Sequence, residues 1–301
     1  MPSSAQCPSR SPSVATLKRM TDISVLTPSY GYGRYIEDAI ESVRRQDGVV
    51  VEHIVQDGGS NDGTVDLLRR FDGLVWTSEP DRGQSDALNK ALAKATGRWI
   101  GWLNADEFYL PRSLAVLIRH AERVGADVVY GDCIFVDADG RFERLLPGHR
   151  FSGKVLREYG CYIGSCALAI RRLILDDAPW DPSLERIMDW DLYLRLLRRG
   201  ARFSHVAYPA GAFRRHSQSV TLTPPESDEE WNEVASRNGL PKDAAGRQRA
   251  SRLGTWLHPF YKAVEGAYLR EWRAHSLRGR DTRWFAGRQA EEACEALIRR
   301  S

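Results

Sequence analysis

Between residues 22 and 110, short apolar runs alternate with segments whose apolar residues recur at helical spacing. The first run, Ile23 to Thr27, ends at Pro28, and the helical pattern of Tyr35 to Gln46 follows it. The alternation continues as far as the apolar run Trp99 to Leu103. Strands separated by helices of this length form right-handed βαβ units. The pattern therefore predicts an α/β fold with a mostly parallel central sheet flanked by helices.

We expect three regions along the chain. Residues 1–20, rich in Ser and Pro, predict a disordered tail, and residues 21–222 predict one α/β domain with halves 21–110 and 111–222. Residues 223–301, basic and rich in Trp, predict a helical C-terminal extension. The other predicted strands are Val50 to Val55, Leu74 to Thr77, Asp127 to Val136 and Arg202 to Tyr208; the other predicted helices are Thr64 to Phe71, Ser85 to Ala95, Leu114 to Val124 and Asp189 to Arg199.

Composition excludes several classes of protein. The chain has 301 residues and a net charge of only +3, which gives no support to nucleic-acid binding. Its five cysteines are scattered without a Cys-x-x-Cys pair, so we expect reduced thiols in a cytosolic protein rather than disulfides or a zinc site. No apolar run reaches the roughly 20 residues that a membrane-spanning helix needs.

Polar residues follow each of the first four predicted strands. Tyr30 follows the first strand, and Asp57 follows the second in a glycine-rich loop. Arg82 and Asp86 follow the third strand, where they either contact a diphosphate and a sugar hydroxyl or form a surface salt bridge and a helix cap. Because the carboxyl ends of parallel strands meet at one sheet edge, we expect these groups to converge there.

The fourth strand runs into Asn104, Asp106 and Glu107. Hard oxygen ligands at such an edge suit Mg²⁺ or Mn²⁺ holding a diphosphate. An acidic turn exposed to solvent is the alternative for this pair of carboxylates, and the convergence of the four loops favours the metal site.

Two later clusters also carry ionisable groups. Asp189 and Asp191 open a predicted helix, where carboxylates are favoured by the helix dipole whether or not they have a further role. His216 follows Arg215 in a polar segment that is either a loop exposed to solvent or part of a phosphate and metal site. The segment Gly160 to Cys166 either lines a cleft or packs in the core.

Four ordered motifs resemble family 2 glycosyltransferases of GT-A fold. They are Ser24-Val25-Leu26-Thr27-Pro28-Ser29-Tyr30, the loop Gln56 to Thr64, the segment Gly83 to Lys90, and Gly101-Trp102-Leu103-Asn104-Ala105-Asp106-Glu107. The resemblance covers roughly Asp22 to Thr221. The last motif is similar to a bacterial Leu-Asn-Ser-Asp-Asp signature, with Ala105 in place of Ser and Glu107 in place of the final Asp.

The resemblance implies a nucleotide-sugar site in the half 21–110 and an acceptor site in the half 111–222. Tyr30 is then expected to pack on the base, Asp57 to accept a hydrogen bond from a ring N–H, and Asn104 to lie near the ribose or the sugar. The full set of implied donor-binding residues is Thr27, Pro28, Tyr30, Asp57, Arg82, Asp86, Asn104 and Arg215. The implied ligands of Mg²⁺ or Mn²⁺ are Asp106, His216 and, one methylene further out, Glu107.

The family's general base lies at a Glu-Asp pair that reads Met188-Asp189 in this chain. The resemblance therefore implies Asp189 as the base, with Asp191 as the alternative, and direct displacement with inversion at the anomeric carbon.

The expected function is transfer of a sugar from a nucleotide-diphosphate sugar, most often UDP in this family, to a hydroxyl of a glycan or lipid-linked acceptor. Two other functions stay open: a non-catalytic sugar-nucleotide-binding or scaffold protein, and a sugar nucleotidyltransferase, against which the single basic residue of the first loop argues. We expect a cytoplasmic protein of bacterial polysaccharide or envelope biosynthesis. The Trp-rich C-terminal helices predict either contact with the inner face of the plasma membrane or packing on this domain or on another subunit.

Overall fold

The computed structural model describes residues 21–217, 219, 229–240 and 257–282. The predicted tail 1–20 and the predicted boundary at 222–223 lie outside these residues. The strands are β1 Ile23–Ser29, β2 Val51–Asp57, β3 Val75–Ser78, β4 Trp99–Trp102, β5 Phe108–Tyr109, β6 Val128–Val136, β7 Phe142–Leu146, β8 Leu168–Arg171 and β9 Phe203–Arg214. The helices are α1 Ile36–Arg44, α2 Thr64–Leu68, α3 Gln84–Leu92, α4 Ser113–Val124, α5 Gly153–Glu158, α6 Met188–Arg198, α7 Glu229–Arg237, α8 257–264 and α9 Ala267–Ala274.

The described strands form one sheet in the order β3-β2-β1-β4-β8-β6-β9-β5, with β7 paired to β6. The pairs among β3, β2, β1 and β4 are parallel, as the alternation of strands and helices predicts. The second half of the sheet is mixed, because β8 enters antiparallel between β4 and β6. A tight turn at 137–141 returns β7 antiparallel to β6. The sequence pattern does not predict β5, β7, β8 or α5, which are short.

Both faces of β1 are covered by helices, which is why all seven of its residues are buried. Ile23 and Val25 pack with α1 and α4 on one face, and Leu26 packs with α3 and α6 on the other. Successive side chains of a strand point to opposite faces, so a continuous apolar run fits a strand covered on both sides.

Strand β9 is longer than predicted and continues to Arg214. It pairs along most of its length with β6 and, near its end, with β5. The predicted strand ended at Tyr208, so residues 212–214 lie in a strand rather than in a loop. This pairing places the residue after the strand, Arg215, and then His216 at the carboxyl edge of the sheet.

The C-terminal segments that the structure describes pack on the α/β domain. Trp231 of α7 stacks on Trp190 of α6 with ring centroids 5.8 Å apart, and the backbone N–H groups of Glu185 and Arg186 donate to Glu230. Ala274 of α9 joins a small core beside β5 and β7. Within the described ranges, no helix is both long and apolar enough to cross a bilayer.

At Gly211, β9 lies very close to the segment that precedes β8. A Cβ at this residue would lie 2.0 Å from the backbone oxygen of Cys166. We expect Gly211→Ala to lower the free energy of unfolding by about 3 kcal/mol, measured by urea denaturation, because the backbone must move. Gly153→Ala is the control, since its Cβ would meet only the flexible end of Leu197. Equal losses in the two variants would contradict the close approach.

Candidate active site

Three strand ends form one row at the carboxyl edge of the sheet. Ser29, Asp57 and Ser78 are in register across β1, β2 and β3. The buried Asp57 carboxylate accepts hydrogen bonds from the hydroxyls of Ser60 (2.5 Å) and Ser78 (2.6 Å) and from the backbone N–H groups of Gly59 and Ser60. Asp57 therefore shapes the glycine-rich loop from a fully buried position, and its Oδ1 accepts a single one of these hydrogen bonds.

Tyr30 lies beside this row with 70% of its surface exposed. A Cβ at Gly58 would lie 3.2 Å from the Tyr30 ring, so glycine at residue 58 lets the ring approach the loop backbone. Thr27 and Pro28, by contrast, are buried in β1. The Thr27 hydroxyl lies 2.9 Å from Nε2 of His53, whose pKa burial lowers to about 3. The structure thus brings Tyr30 to the edge and turns the Thr27 side chain inward.

Arg82 and Asp86 form an ion pair at the start of α3. The Arg82 guanidinium lies 3.0 Å from the Asp86 carboxylate, and the Arg82 backbone N–H donates to the same group. The hydrogen bond from the Arg82 side chain is the main reason that the pKa of Asp86 is lowered. The Arg82 side chain remains largely exposed, so it is accessible to a ligand at this edge.

The polar side chains that follow the fourth strand, β4, lie in different environments. The Asn104 amide oxygen accepts from Gln84 (2.6 Å) and from the indole N–H of Trp102 (2.8 Å). Glu107 is buried, and its carboxylate accepts from the Asn104 backbone N–H. Burial, and then the neighbouring Asp106, raise the pKa of Glu107 well above its usual range. The structure therefore turns Glu107 into the interior and leaves Asp106 as the carboxylate of this loop nearest the surface.

Asp106 meets His216 across the edge of the sheet. Its Oδ2 lies 2.9 Å from His216 Nε2, and the imidazole packs on Tyr35 and, edge-on, on Tyr32, with ring centroids 4.8 and 6.1 Å apart. Burial, and then the Asp106 charge, raise the pKa of Tyr32 to about 12. The described residues contain no group of three or more His, Cys, Asp or Glu side chains arranged around a metal. The Asp106 carboxylate is nevertheless a ligand that suits Mg²⁺ or Mn²⁺ together with phosphate oxygens, and an imidazole nitrogen beside it favours the transition metal Mn²⁺.

The Arg214 side chain at the end of β9 links the Asp106 loop to the turn after β6 and to α1. Its guanidinium is buried and donates to the Asp106 carbonyl (2.8 Å), to the Ala138 carbonyl (2.8 Å) and to the Asp38 carboxylate (2.6 Å). The guanidinium also lies 4.8 Å from the Tyr35 ring centroid. From the sequence, Arg214 is expected only as an alternative to Arg215 for contact with phosphate oxygens. The only sequence signal for its buried role is that the arginine directly follows apolar residues.

The next residue, Arg215, has a different environment. Its guanidinium pairs with Glu143 of β7 at 3.0 Å and lies over the Phe135 ring. Both side chains of this ion pair are substantially exposed. The structure therefore places the Arg215 guanidinium at β7, whereas Arg214 contacts the Asp106 loop.

The two carboxylates at the start of α6 also differ in exposure. Asp189 is partly exposed, and its Oδ2 lies 3.3 Å from the Cys161 thiol, which donates to it. Burial raises the pKa of Asp189. Asp191 is fully buried and pairs with Arg195 at 2.7 Å. Of the two, only Asp189 is placed to meet a ligand from solvent.

Solved structures define the class of this fold. The chain is similar to S. aureus TarS residues 1–349 in complex with UDP-GlcNAc, with a TM-score of 0.59 and 16% identity over 92% of this chain and 82% of that one. It is also similar to the mannosyltransferase PcManGT from Pyrobaculum calidifontis in complex with GDP-Man and Mn²⁺, with a TM-score of 0.52 and 17% identity over 93% of this chain and 86% of that one. The fold is the GT-A fold of glycosyltransferases.

A family model described as glycosyl transferase family 2 matches residues 24–177, and the chain belongs to this family. The succinoglycan biosynthesis protein ExoO of Rhizobium meliloti is 30% identical over 43% of this chain and 38% of its own length. The putative teichuronic acid biosynthesis glycosyltransferase TuaG of Bacillus subtilis is 39% identical over 28% of this chain and 36% of its own length. The matches to these two relatives thus span less than two fifths of their length.

We expect Arg214→Lys to lower the free energy of unfolding by about 3 kcal/mol, because one ammonium cannot reach all three acceptors and leaves buried partners unsatisfied. Arg215→Lys is the matched control, and it should change stability by less than about 1 kcal/mol, since an exposed ion pair contributes little. Urea denaturation of both variants measures the difference. Equal effects would contradict the fastening role of Arg214.

Proposed function

We propose that the chain transfers a sugar from a nucleotide-diphosphate sugar to a hydroxyl of a glycan or lipid-linked acceptor, with inversion at the anomeric carbon. A UDP-sugar is the proposed donor, because UDP is the commonest nucleotide in this family. The observation that carries this proposal is the pair Asp106 and His216, which meet at 2.9 Å at the carboxyl edge of a family 2 fold. Relatives named for succinoglycan and teichuronic acid biosynthesis support a polysaccharide acceptor. The UDP-GlcNAc and GDP-Man of similar structures support the class of donor.

At the nucleoside end, the exposed Tyr30 ring stacks on the base. Asp57 is buried and held by Ser60 and Ser78, so it accepts a hydrogen bond from a ring N–H only when the glycine-rich loop moves to expose its Oδ1. Asn104 has its amide oxygen occupied by Gln84 and Trp102, which leaves its NH₂ group to donate to the ribose or the sugar.

At the diphosphate end, Asp106 and His216 are the residues that would hold Mg²⁺ or Mn²⁺. The bound ion would offset the negative charge that develops on the departing diphosphate. Arg82, exposed at the start of α3, contributes a further positive charge at the same edge. Glu107 is buried and Arg215 pairs with Glu143, so neither residue contacts the metal or the donor directly in this arrangement.

Asp189 acts as the general base in this proposal. The acceptor oxygen attacks the anomeric carbon on the face opposite the diphosphate, and its proton passes to the Asp189 carboxylate. A pKa raised by burial brings the carboxylate closer to the basicity that proton abstraction needs. Asp191 is not assigned this role, because its carboxylate is buried in the pair with Arg195.

The donor site is tested by thermal shift with UDP-, GDP- and dTDP-sugars in Mn²⁺ or EDTA. We expect one donor to raise the melting temperature with Mn²⁺ only, and Asp106→Asn to abolish that shift, because the metal loses a charged ligand. Asp66→Asn, an exposed carboxylate paired with Arg69, is the control and should keep the shift. No shift with any donor would overturn the donor site, and a shift without any sugar transfer or donor hydrolysis would favour a binding protein.

For the base, we expect Asp189→Asn to lower kcat by about 10²–10⁴-fold and leave the donor-induced thermal shift unchanged. The wild-type rate should fall on the acid side at a pH above 4, the ordinary pKa of Asp, because the base must be ionised. The Cys161 thiol lowers the pKa of Asp189, so Cys161→Ala should move this acid limb to higher pH. An acid limb that does not move, or a fully active Asp189→Asn, would contradict the assignment.

A further inference from the structure

Helix α3 turns two polar side chains towards the segment that leads into α6. Ser85 and Asn89 are four residues apart, a spacing that places side chains on the same side of a helix. Ser85 is buried and Asn89 is half-buried. Buried polar groups need hydrogen-bond partners, and both side chains find them in the segment 179–188, which ends beside the proposed base.

The Asn89 side chain uses both ends of its amide on the backbone of Trp180. Its Nδ2 donates to the Trp180 carbonyl (2.7 Å), and its Oδ1 accepts from the Trp180 backbone N–H (3.1 Å). The Trp180 side chain is fully buried, and its ring packs edge-on against Trp102 with ring centroids 5.8 Å apart. Because a planar amide with two such hydrogen bonds has a fixed orientation, Asn89 holds the backbone at Trp180 in place relative to α3.

The Ser85 hydroxyl contacts the same segment nearer to α6. Its Oγ lies 3.1 Å from the carbonyl oxygen of Leu184 and 3.1 Å from Sδ of Met188, the first residue of α6. The carbonyl is the stronger acceptor for the single hydroxyl proton, and the thioether is a weak one. Met188 directly precedes Asp189, so Ser85 contacts the chain immediately before the proposed base.

Elements later in the chain also contact this segment. The Glu230 carboxylate of α7 accepts from the backbone N–H groups of Glu185 and Arg186, and the Arg195 side chain of α6 donates to the Pro179 carbonyl. The hydrogen bonds from α3 have a different consequence, because they join the segment to the half of the domain that contains the first four strands.

The residue before Ser85 contacts the loop on the proposed donor side. Gln84 donates to the Asn104 amide oxygen at 2.6 Å, and the same oxygen accepts from the Trp102 indole N–H. Adjacent residues in the first turn of α3 thus contact the loop after β4 and the start of α6. Reacting groups keep a productive geometry when hydrogen bonds from neighbouring residues lock them in place.

We propose that Ser85 and Asn89 are positioning residues for the sugar transfer. They fix the start of α6, and with it the Asp189 carboxylate, relative to the donor beside Asn104. This role rests on the proposed function, because it concerns the base and the donor of that reaction. Neither side chain contacts a substrate, and both act through Asp189. A displacement of about 1 Å in a reacting group costs up to about 10²-fold in rate, so loss of one anchor lowers kcat less than loss of the base does.

Donor hydrolysis measures the effect on rate. The probe is the UDP-, GDP- or dTDP-sugar that gives the largest thermal shift, with water as the acceptor. We expect Ser85→Ala and Asn89→Ala each to lower kcat by about tenfold and to leave the donor-induced thermal shift unchanged. Alanine preserves the helix, and thermal melting shows that each variant is folded. The control is Ser183→Ala, which removes a hydroxyl of the same segment that donates to Asp181 and should keep the wild-type kcat.

Combination with Asp189→Asn separates positioning from a general weakening of the fold. Because Ser85 acts through the Asp189 carboxylate, we expect Ser85→Ala to lower kcat no further when the carboxylate is already absent. A tenfold loss in both backgrounds would overturn the proposal. A wild-type kcat in both Ser85→Ala and Asn89→Ala would overturn it as well.

Amide hydrogen exchange of residues 179–190 tests the anchor without turnover. We expect faster exchange in Ser85→Ala and Asn89→Ala than in wild type, and no change in Ser183→Ala, because only the first two variants lose hydrogen bonds to α3. Unchanged exchange in both α3 variants would overturn the anchor even when the sugar transfer holds. A wild-type protein without transfer or hydrolysis would overturn the proposed function, and with it the positioning role, whatever the exchange shows.

Discussion

The geometry of the candidate active site depends on one buried guanidinium. Arg214 at the end of β9 donates to the carbonyl of Asp106, to the carbonyl of Ala138 and to the carboxylate of Asp38. A buried charge is costly unless each of its donors is satisfied, so these contacts hold only when the strand, the loop and α1 are correctly placed. The same interaction thereby sets the position of Asp106 relative to His216, two residues after Arg214.

Neighbouring acidic residues of the candidate site differ in their exposure to solvent. Asp106 and Asp189 keep access to solvent, whereas Glu107 and Asp191 are enclosed. The enclosed groups must be neutral or paired: the pKa of Glu107 is raised by burial, and Asp191 binds Arg195. One carboxylate of each neighbouring pair therefore remains partly exposed, and the other is enclosed within the loop or helix that carries it.

Much of the fold of residues 21–110 could be predicted from the sequence. The alternation of apolar runs and helical segments predicts the parallel strands β1 to β4, and the strand ends carry Tyr30, Asp57, Asn104 and Asp106 where the expected edge lies. The second half could not be predicted as well, since β7 and β8 are short and join the sheet antiparallel. Pairing between strands far apart in sequence also extends β9 to Arg214, which no local pattern reveals.

The sequence by itself determined which residue types stand at each strand end, because the periodicity of apolar residues and the positions of Gly and Pro are local properties of the chain. Only the tertiary structure decided which of these side chains are exposed at the sheet edge and which are buried or paired. It turns Thr27 towards His53, Glu107 into the core and Arg215 towards Glu143, and it brings His216 to Asp106 across 110 residues. The physical reason is that burial and partner choice depend on what packs against each side chain, and those neighbours come from distant parts of the chain.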